Sequence, residues 1–372
     1  MRRSAPSLAT LALLALATAC SGASRPRSAA PLDSGPADAS APPDASRDAS
    51  EPGDASADLG TALDADAPTD GGGPYPAGAT DISLDVGGPR RFRLYVPASL
   101  GSDTPRALVV ALHGGGGMGL MTSEPGEHPL AVFRDVADRE RFVVAFPEGS
   151  MAADGRLGWT DCRADNLNAS TADDLGFLRA VVARLRSDYA LPASRVFMTG
   201  TSNGAQMTLA FAALATDDLA ALAISSGNLP ENPLPGACTT GPSRPLPALF
   251  THGSADPAMP YAGGCVANLG GGCRRGRVIG AEATRDVYLA LNGLASTPSS
   301  METVNIDTTD PGPAARFVYG GPVPVEWWRL DGAGHAPPSL AVPVATTMAS
   351  GAQNRDVEFA ELAWAFFAAR LP

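Results

Sequence analysis

A serine between glycines, Gly200-Thr201-Ser202-Asn203-Gly204, stands where a short apolar run, Arg195-Val196-Phe197-Met198-Thr199, gives way to small and apolar residues from Ala205 to Leu214. Strand, sharp turn and helix is the setting in which Gly-x-Ser-x-Gly holds a hydroxyl out at the carboxyl end of a parallel sheet. The glycines are required because strand and helix nearly collide there and leave no room for flanking side chains. An alcohol of very high pKa attacks a carbonyl near neutral pH only with a positioned proton acceptor. Four histidines are available: His113, His128, His252 and His335.

In the strand–turn–helix architecture the acid and then the histidine follow the serine along the chain. Only His252 and His335 lie after Ser202. His335 closes Gly332-Ala333-Gly334-His335 directly after an expected strand, Val323 to Leu330, and is predicted to be the base. Asp256, in Phe250-Thr251-His252-Gly253-Ser254-Ala255-Asp256, is predicted to fix its tautomer and stabilise the imidazolium. His252 is expected to be structural, bonding the loop that carries Asp256. His128 is expected to be a solvated loop residue. The buried strand Arg106–Leu112 runs into His113-Gly114-Gly115-Gly116-Gly117, and side-chain-free residues let backbone N–H groups approach a developing oxyanion. An amide of this glycine run and the N–H of Asn203 are the expected donors. The same glycines could cradle a phosphate, but no Gly-Lys-Ser/Thr follows and the chain contains no lysine.

Two further features could be mistaken for catalytic machinery. Asp173-Asp174 invites a carboxylate-pair reading, yet Ser170-Thr171-Ala172-Asp173 reads as a capping box opening a helix through Tyr189. Leu175, Leu178, Val182 and Leu185 fall on one face of that helix. Trp159 fits either the core or the wall of a substrate cleft.

Elements that could position these residues follow from the apolar runs. Strands are predicted near Arg91–Val96, Ala107–Leu112, Phe142–Phe146, Arg195–Thr199, Leu219–Ser225, Ala248–Thr251 and Val325–Leu330. Helices are predicted near Leu130–Arg139, Asp173–Tyr189, Ala205–Leu214, Ala281–Leu291 and Val357–Arg370, and a hairpin from Thr303–Ile306 and Arg316–Tyr319. The alternation predicts an α/β fold, a mostly parallel sheet with helices on both faces. One large domain is expected over residues 79–372, long enough to bury a full core.

The preceding residues have other compositions. Met1-Arg2-Arg3 and the apolar run Leu8–Ala19 form an export signal, too short to span a bilayer. Its end, Ala17-Thr18-Ala19-Cys20, fits an ordinary Ala-x-Ala cleavage site and also a lipoprotein box in which Cys20 is lipidated. The cysteine count favours the second: without Cys20, four remain, Cys162, Cys238, Cys265 and Cys273, an even number for an oxidising compartment. Sequence permits three pairings of the four, Cys265 with Cys273 and Cys162 with Cys238 among them. Residues 21–78, rich in Ala, Asp, Ser and Pro, cannot bury enough apolar surface to offset chain entropy and are expected to form a disordered tether. The net charge of −12 argues against nucleic-acid binding. Contact with a membrane is expected only through the lipid on Cys20.

The chain resembles the polyhydroxybutyrate depolymerase and feruloyl/acetylxylan esterase-like branch of the secreted α/β-hydrolases. The resemblance rests on His113-Gly114-Gly115, Phe146-Pro147-Glu148-Gly149, Trp159, Asp173 to Leu178, Gly200 to Gly204 with Met207, His252 to Pro257 with Pro260-Tyr261, and Gly332 to His335. It implies a Ser202–Asp256–His335 triad, an oxyanion hole at Gly115 and Asn203, and a substrate-contacting Trp159. The implied activity is hydrolysis of esters, small or polymeric, through an acyl-enzyme and without metal or cofactor. One departure stands out. The family often carries Trp-Pro after the histidine, where this chain has Ala336-Pro337-Pro338, which removes an aromatic wall and leaves polymer and aromatic-acyl specificity open. A lipase or peptidase on the same scaffold, or a surface lipoprotein that binds without catalysing, are the rival readings.

Overall fold

A computed structural model describes residues 73–116, 119–235, 241–267 and 272–372. The expected export signal, Cys20, Cys238 and most of the expected tether lie outside the described residues. Along the chain come β1 (Gly78–Asp85), β2 (Pro89–Val96), β3 (Leu108–Leu112), α1 (Val132–Glu140) and β4 (Val143–Pro147). The short strands β5 (Ser150–Met151) and β6 (Leu157–Gly158) precede α2 (Asp174–Asp188), β7 (Val196–Thr201), α3 (Asn203–Leu214) and β8 (Ala221–Ser225). Then follow β9 (Ala248–Gly253), β10 (Gly264–Cys265), β11 (Arg277–Val278) and α4 (Ala281–Leu291). The chain closes with β12 (Ser300–Val304), β13 (Ala314–Tyr319), β14 (Val325–Leu330) and α5 (Phe359–Ala368).

Ten strands form one sheet in the order β1-β2-β4-β3-β7-β8-β9-β14-β13-β12. The six from β4 to β14 are mutually parallel, and antiparallel strands flank them on both sides. Side-chain alternation divides the core. Leu108, Val110 and Leu112 of β3 join the apolar cluster that includes α2, α3 and α4, whereas Val109 and Ala111 join the one that includes α1 and α5. Both faces are therefore covered, which is why β3 and β4 are apolar at every position. Each fully buried Leu or Phe in these layers contributes about 1.5–3 kcal/mol of transfer free energy.

The predicted strands and helices are all present, with ends shifted by a few residues, and the expected hairpin is β12–β13. Strand β1 was not anticipated. Its residues alternate between half-buried and exposed, so as an edge strand it lacks the apolar run that marks the centre. The domain also begins earlier than residue 79. Tyr75 donates its hydroxyl to Asp188 and its ring packs near Tyr189, so the end of the expected tether belongs to the fold.

Parallel pairing carries one consequence for function. Leu112 pairs with Gly200, Thr201 with Ser225, and Leu330 with Gly253. The carboxyl ends of β3, β7, β9 and β14 thus lie along one edge, and the loops bearing Gly114–Gly115, Ser202, Asp256 and His335 leave the sheet there.

Candidate active site

Ser202 occupies the turn between β7 and α3 with φ 55° and ψ −123°. A non-glycine residue adopts such a backbone only when its surroundings enforce it. Its N–H donates to the Ser225 carbonyl at 3.0 Å, and its own carbonyl accepts from Gln206 N–H at 3.0 Å. The flanking glycines are demanded by contact. A Cβ on Gly200 would lie 2.5 Å from the Gly204 carbonyl oxygen, and one on Gly204 would overlap the carbonyl oxygens of Leu112 and His113.

Asp256 and His335 meet. His335 Nδ1 lies 2.8 Å from Asp256 Oδ2, while Asp256 Oδ1 accepts the N–H groups of Ala258 and Met259, both at 2.8 Å. The Asp256 side chain is fully buried and that of His335 is 19% exposed. Burial pushes the Asp256 carboxyl up, but the His335 imidazole and its hydrogen bond, His252 and the Met259 amide outweigh it and hold the group below the usual carboxylate range. An ionised carboxylate only accepts, so His335 donates from Nδ1 and keeps its lone pair on Nε2. The loop behind it is fixed: His335 N–H donates to Ser350 O at 2.5 Å and Gly334 N–H to Ala352 O at 2.7 Å.

Ser202 and His335 line one cavity of about 270 Å³, together with Gly115, Asn203, Gln206 and Arg275. The hydroxyl of Ser202 forms no hydrogen bond among the described residues, to His335 or to any other group. Catalytic hydrogen bonds commonly tighten only when substrate binds. Gly114 is pressed close to the elbow, its would-be Cβ 3.2 Å from Ser202 Cβ, and that of Gly115 would lie 3.5 Å from Asn203 Cβ. Gly116 N–H donates to Leu157 O at 3.1 Å, but neither Gly115 N–H nor Asn203 N–H, the first of α3, finds an acceptor among the described residues.

The remaining histidines divide. His252 Nε2 is 3.0 Å from Met259 O and 3.7 Å from Asp256 Oδ2; it braces the acid loop as expected, and burial keeps it neutral. His113 is fully buried, accepts from Gly149 N–H at Nε2 and donates from Nδ1 to Gly114 O. His128 is half-buried rather than a freely solvated loop residue. It caps the short turn Pro129–Ala131, with Nδ1 accepting from Leu130 N–H at 3.0 Å, and burial pushes it down to about 4.

Asp173 does cap α2, but as the N-cap itself, accepting from Gly176 N–H at 2.8 Å. Ser170, placed first in the expected capping box, instead bonds Ala172 N–H. Asp174 is buried and holds Arg90, Ser150 and Thr160. Trp159 borders the cavity yet is only 2% exposed, and its indole N–H donates to His113 O at 2.8 Å. Its backbone is clamped by the Asn203 side chain, which accepts from Trp159 N–H at 2.7 Å and donates to Trp159 O and to Asp161. Cys265 and Cys273 form a disulfide with their Cα atoms 4.9 Å apart. Cys162 is also disulfide-bonded.

Sequence reading passed over Asp161, Arg163, Gln206 and Arg275, all at or beneath this cleft. The run Trp159-Thr160-Asp161-Cys162-Arg163 offered a signal for the first two. Asp161 and Arg163, two apart, form a buried ion pair at 2.6 Å.

Comparison with known proteins agrees with this geometry. Residues 99–268 match the family described as phospholipase/carboxylesterase, a stretch that holds the serine elbow and Asp256 and ends before His335. The chain has the α/β-hydrolase fold. It is 30% identical over 192 residues to the Nocardia uniformis protein named "Putative esterase NocK", covering 50% of this chain and 52% of that one. It is likewise 30% identical over 187 residues to feruloyl esterase B of Talaromyces stipitatus, 50% of this chain and 45% of the relative. The chain thus spans about half the length of the relatives it matches. Among solved structures, the acetyl xylan esterase of Aspergillus awamori aligns with 69% of this chain and 94% of its own at 18% identity, with a TM-score of 0.47.

Proposed function

We propose that this α/β-hydrolase is a serine carboxylesterase working through an acyl-enzyme on Ser202. The observation that carries the reading is the 2.8 Å Asp256–His335 contact opening into the same cleft as a serine on a strained turn. His335 Nε2 takes the proton of Ser202 Oγ as that oxygen attacks the ester carbonyl. The amides of Gly115 and Asn203 receive the oxyanion. Collapse of the tetrahedral intermediate breaks the bond to the leaving alcohol, which takes the proton from His335. Water, deprotonated by the same imidazole, then releases the acid and restores Ser202.

The relatives favour esters of the feruloyl or acetylxylan type over polyhydroxybutyrate. The disulfide Cys265–Cys273 suits an oxidising, extracytoplasmic compartment. A lipidated Cys20 would tie the protein to an envelope membrane, and mass spectrometry of the mature amino terminus tests that part. For the chemistry, Ser202→Ala should cut hydrolysis of p-nitrophenyl acetate by at least about 10⁴-fold while circular dichroism stays unchanged. Activity at the wild-type level in this variant would refute the nucleophile. A folded wild type inert towards every ester would leave the binding lipoprotein.

A further inference from the structure

The catalytic proposal leaves unused several polar groups that share its cleft. Its charged lining is Arg156, Arg163, Arg275 and a single carboxylate, Asp154, in a chain whose net charge is −12. Arg163 is committed to Asp161 through two bonds, at 2.9 and 2.6 Å. Arg275 gives Nη2 to Asp154 at 2.5 Å. Among the described residues its Nη1 and Nε have no acceptor, and the guanidinium of Arg156 has none at all. Arg275 Nη1 lies 3.6 Å from where a Cβ on Gly115 would be, beside one of the two proposed oxyanion donors.

The position of Arg275 is built rather than incidental. Its carbonyl accepts from the buried Arg163, and Leu167 N–H donates to the neighbouring Arg274 carbonyl at 2.9 Å. The disulfide Cys265–Cys273 closes the loop just before it. A second, independent observation comes from α3. Gln206 is 4% exposed, borders the same cleft one turn after Ser202, and neither its Oε1 nor its Nε2 has a hydrogen-bond partner. A buried, unsatisfied amide costs about 1–3 kcal/mol, and native interiors retain few. Both amide atoms are shut off from the cleft in this rotamer, so a polar ligand group would satisfy them only once the Gln206 side chain turns towards it.

We propose that Arg275, with Arg156 and Gln206, forms a carboxylate-recognising subsite, so that preferred substrates are esters bearing a carboxylate a few bonds from the scissile carbonyl. The inference rests on the esterase reading and names its substrate class. A guanidinium with free donors matches a carboxylate in geometry as well as charge. Asp154 holds Arg275 in place while competing for part of its charge.

The test compares kcat/KM on matched neutral and anionic esters with the full-length protein. Mono-p-nitrophenyl glutarate against p-nitrophenyl pentanoate places the carboxylate on the acyl side; acetoxyacetate against propyl acetate places it on the alcohol side. Wild type should favour the anionic ester by about tenfold in one arm, and that arm identifies the side. Arg156→Gln and Gln206→Leu should each lower the anionic-to-neutral ratio several-fold, and Asp154→Asn should raise it. Equal rates in both arms would overturn the subsite. So would variants that lower both esters alike with a fall in Tm, the result expected if Gln206 merely holds a buried water with Asn228, whose Oδ1 is also unpartnered beside a small void. A wild type that cleaves none of the four esters would instead remove the esterase reading.

Discussion

At Ser202 the backbone holds a conformation that a free chain avoids, and the residues on either side exist to make it possible. Gly204 packs against the carbonyls of Leu112 and His113, so Gly204→Ala should lower stability by more than about 2 kcal/mol in a urea unfolding series. In the proposed mechanism Asp256 works through its charge and its grip on His335 Nδ1. Asp256→Asn preserves shape but offers the wrong hydrogen-bonding partner, and kcat on p-nitrophenyl acetate should fall about 10⁴-fold while circular dichroism at about 25 °C still shows a folded protein. The order of serine, acid and histidine was legible in the sequence because each sits beside its own local signal, a glycine pair or the end of an apolar strand. Arg275 and Gln206 had no such signal. Their importance arises only from lining the same cleft, and one lies in a loop and the other in the first turn of α3.

Between residue and fold stand the loops at the carboxyl edge of the sheet. The Asn203 side chain ties α3 to the backbone of Trp159 and to Asp161. Asn203→Ala keeps the backbone amide and loses three hydrogen bonds, so Tm should drop by the equivalent of about 1–3 kcal/mol, and kcat should fall far less than in Ser202→Ala. Equal losses in the two variants would mean that the side chain, and not the amide, matters to the chemistry. The central strands were readable because both faces are covered and their residues are mostly apolar, in β3 and β4 without exception. Strand β1 was not, since its alternating Thr80-Asp81-Ile82-Ser83-Leu84-Asp85 follows a polar, proline-containing stretch. The cap of α2 was legible in kind but shifted to Asp173. Neighbouring Ser and Asp residues offer equivalent acceptors, and only the start of the helix decides between them.

Over the whole molecule, three histidines set the response to acid, His113 and His252 fully buried and His128 half-buried. His113, His128 and His252 are each held below their ordinary range by burial, His128 at about 4. An unfolded chain binds protons at these sites from near pH 6.5 downward, whereas the fold resists them. Stability should therefore decline as pH falls from about 6.5 towards 4, with no such contribution above neutrality. Asp256, held low, loses its stabilising charge only further down. His128→Asn retains a capping acceptor and should reduce the fall in Tm between pH 7 and 4.5 by about 2–4 °C. The covered sheet and the edge that carries the site were foreseeable from alternating strands and helices; the positive cleft within an acidic chain was not, because net charge says nothing of where charges converge. The account as a whole depends on a nucleophilic Ser202 driven by His335. Its most direct test is labelling with a fluorophosphonate, followed by peptide mass spectrometry of wild type and His335→Ala. The predicted result is one adduct, on Ser202, formed at least about 10³-fold more slowly in the variant. An adduct elsewhere, no adduct on a folded protein, or equal rates in the two would contradict it.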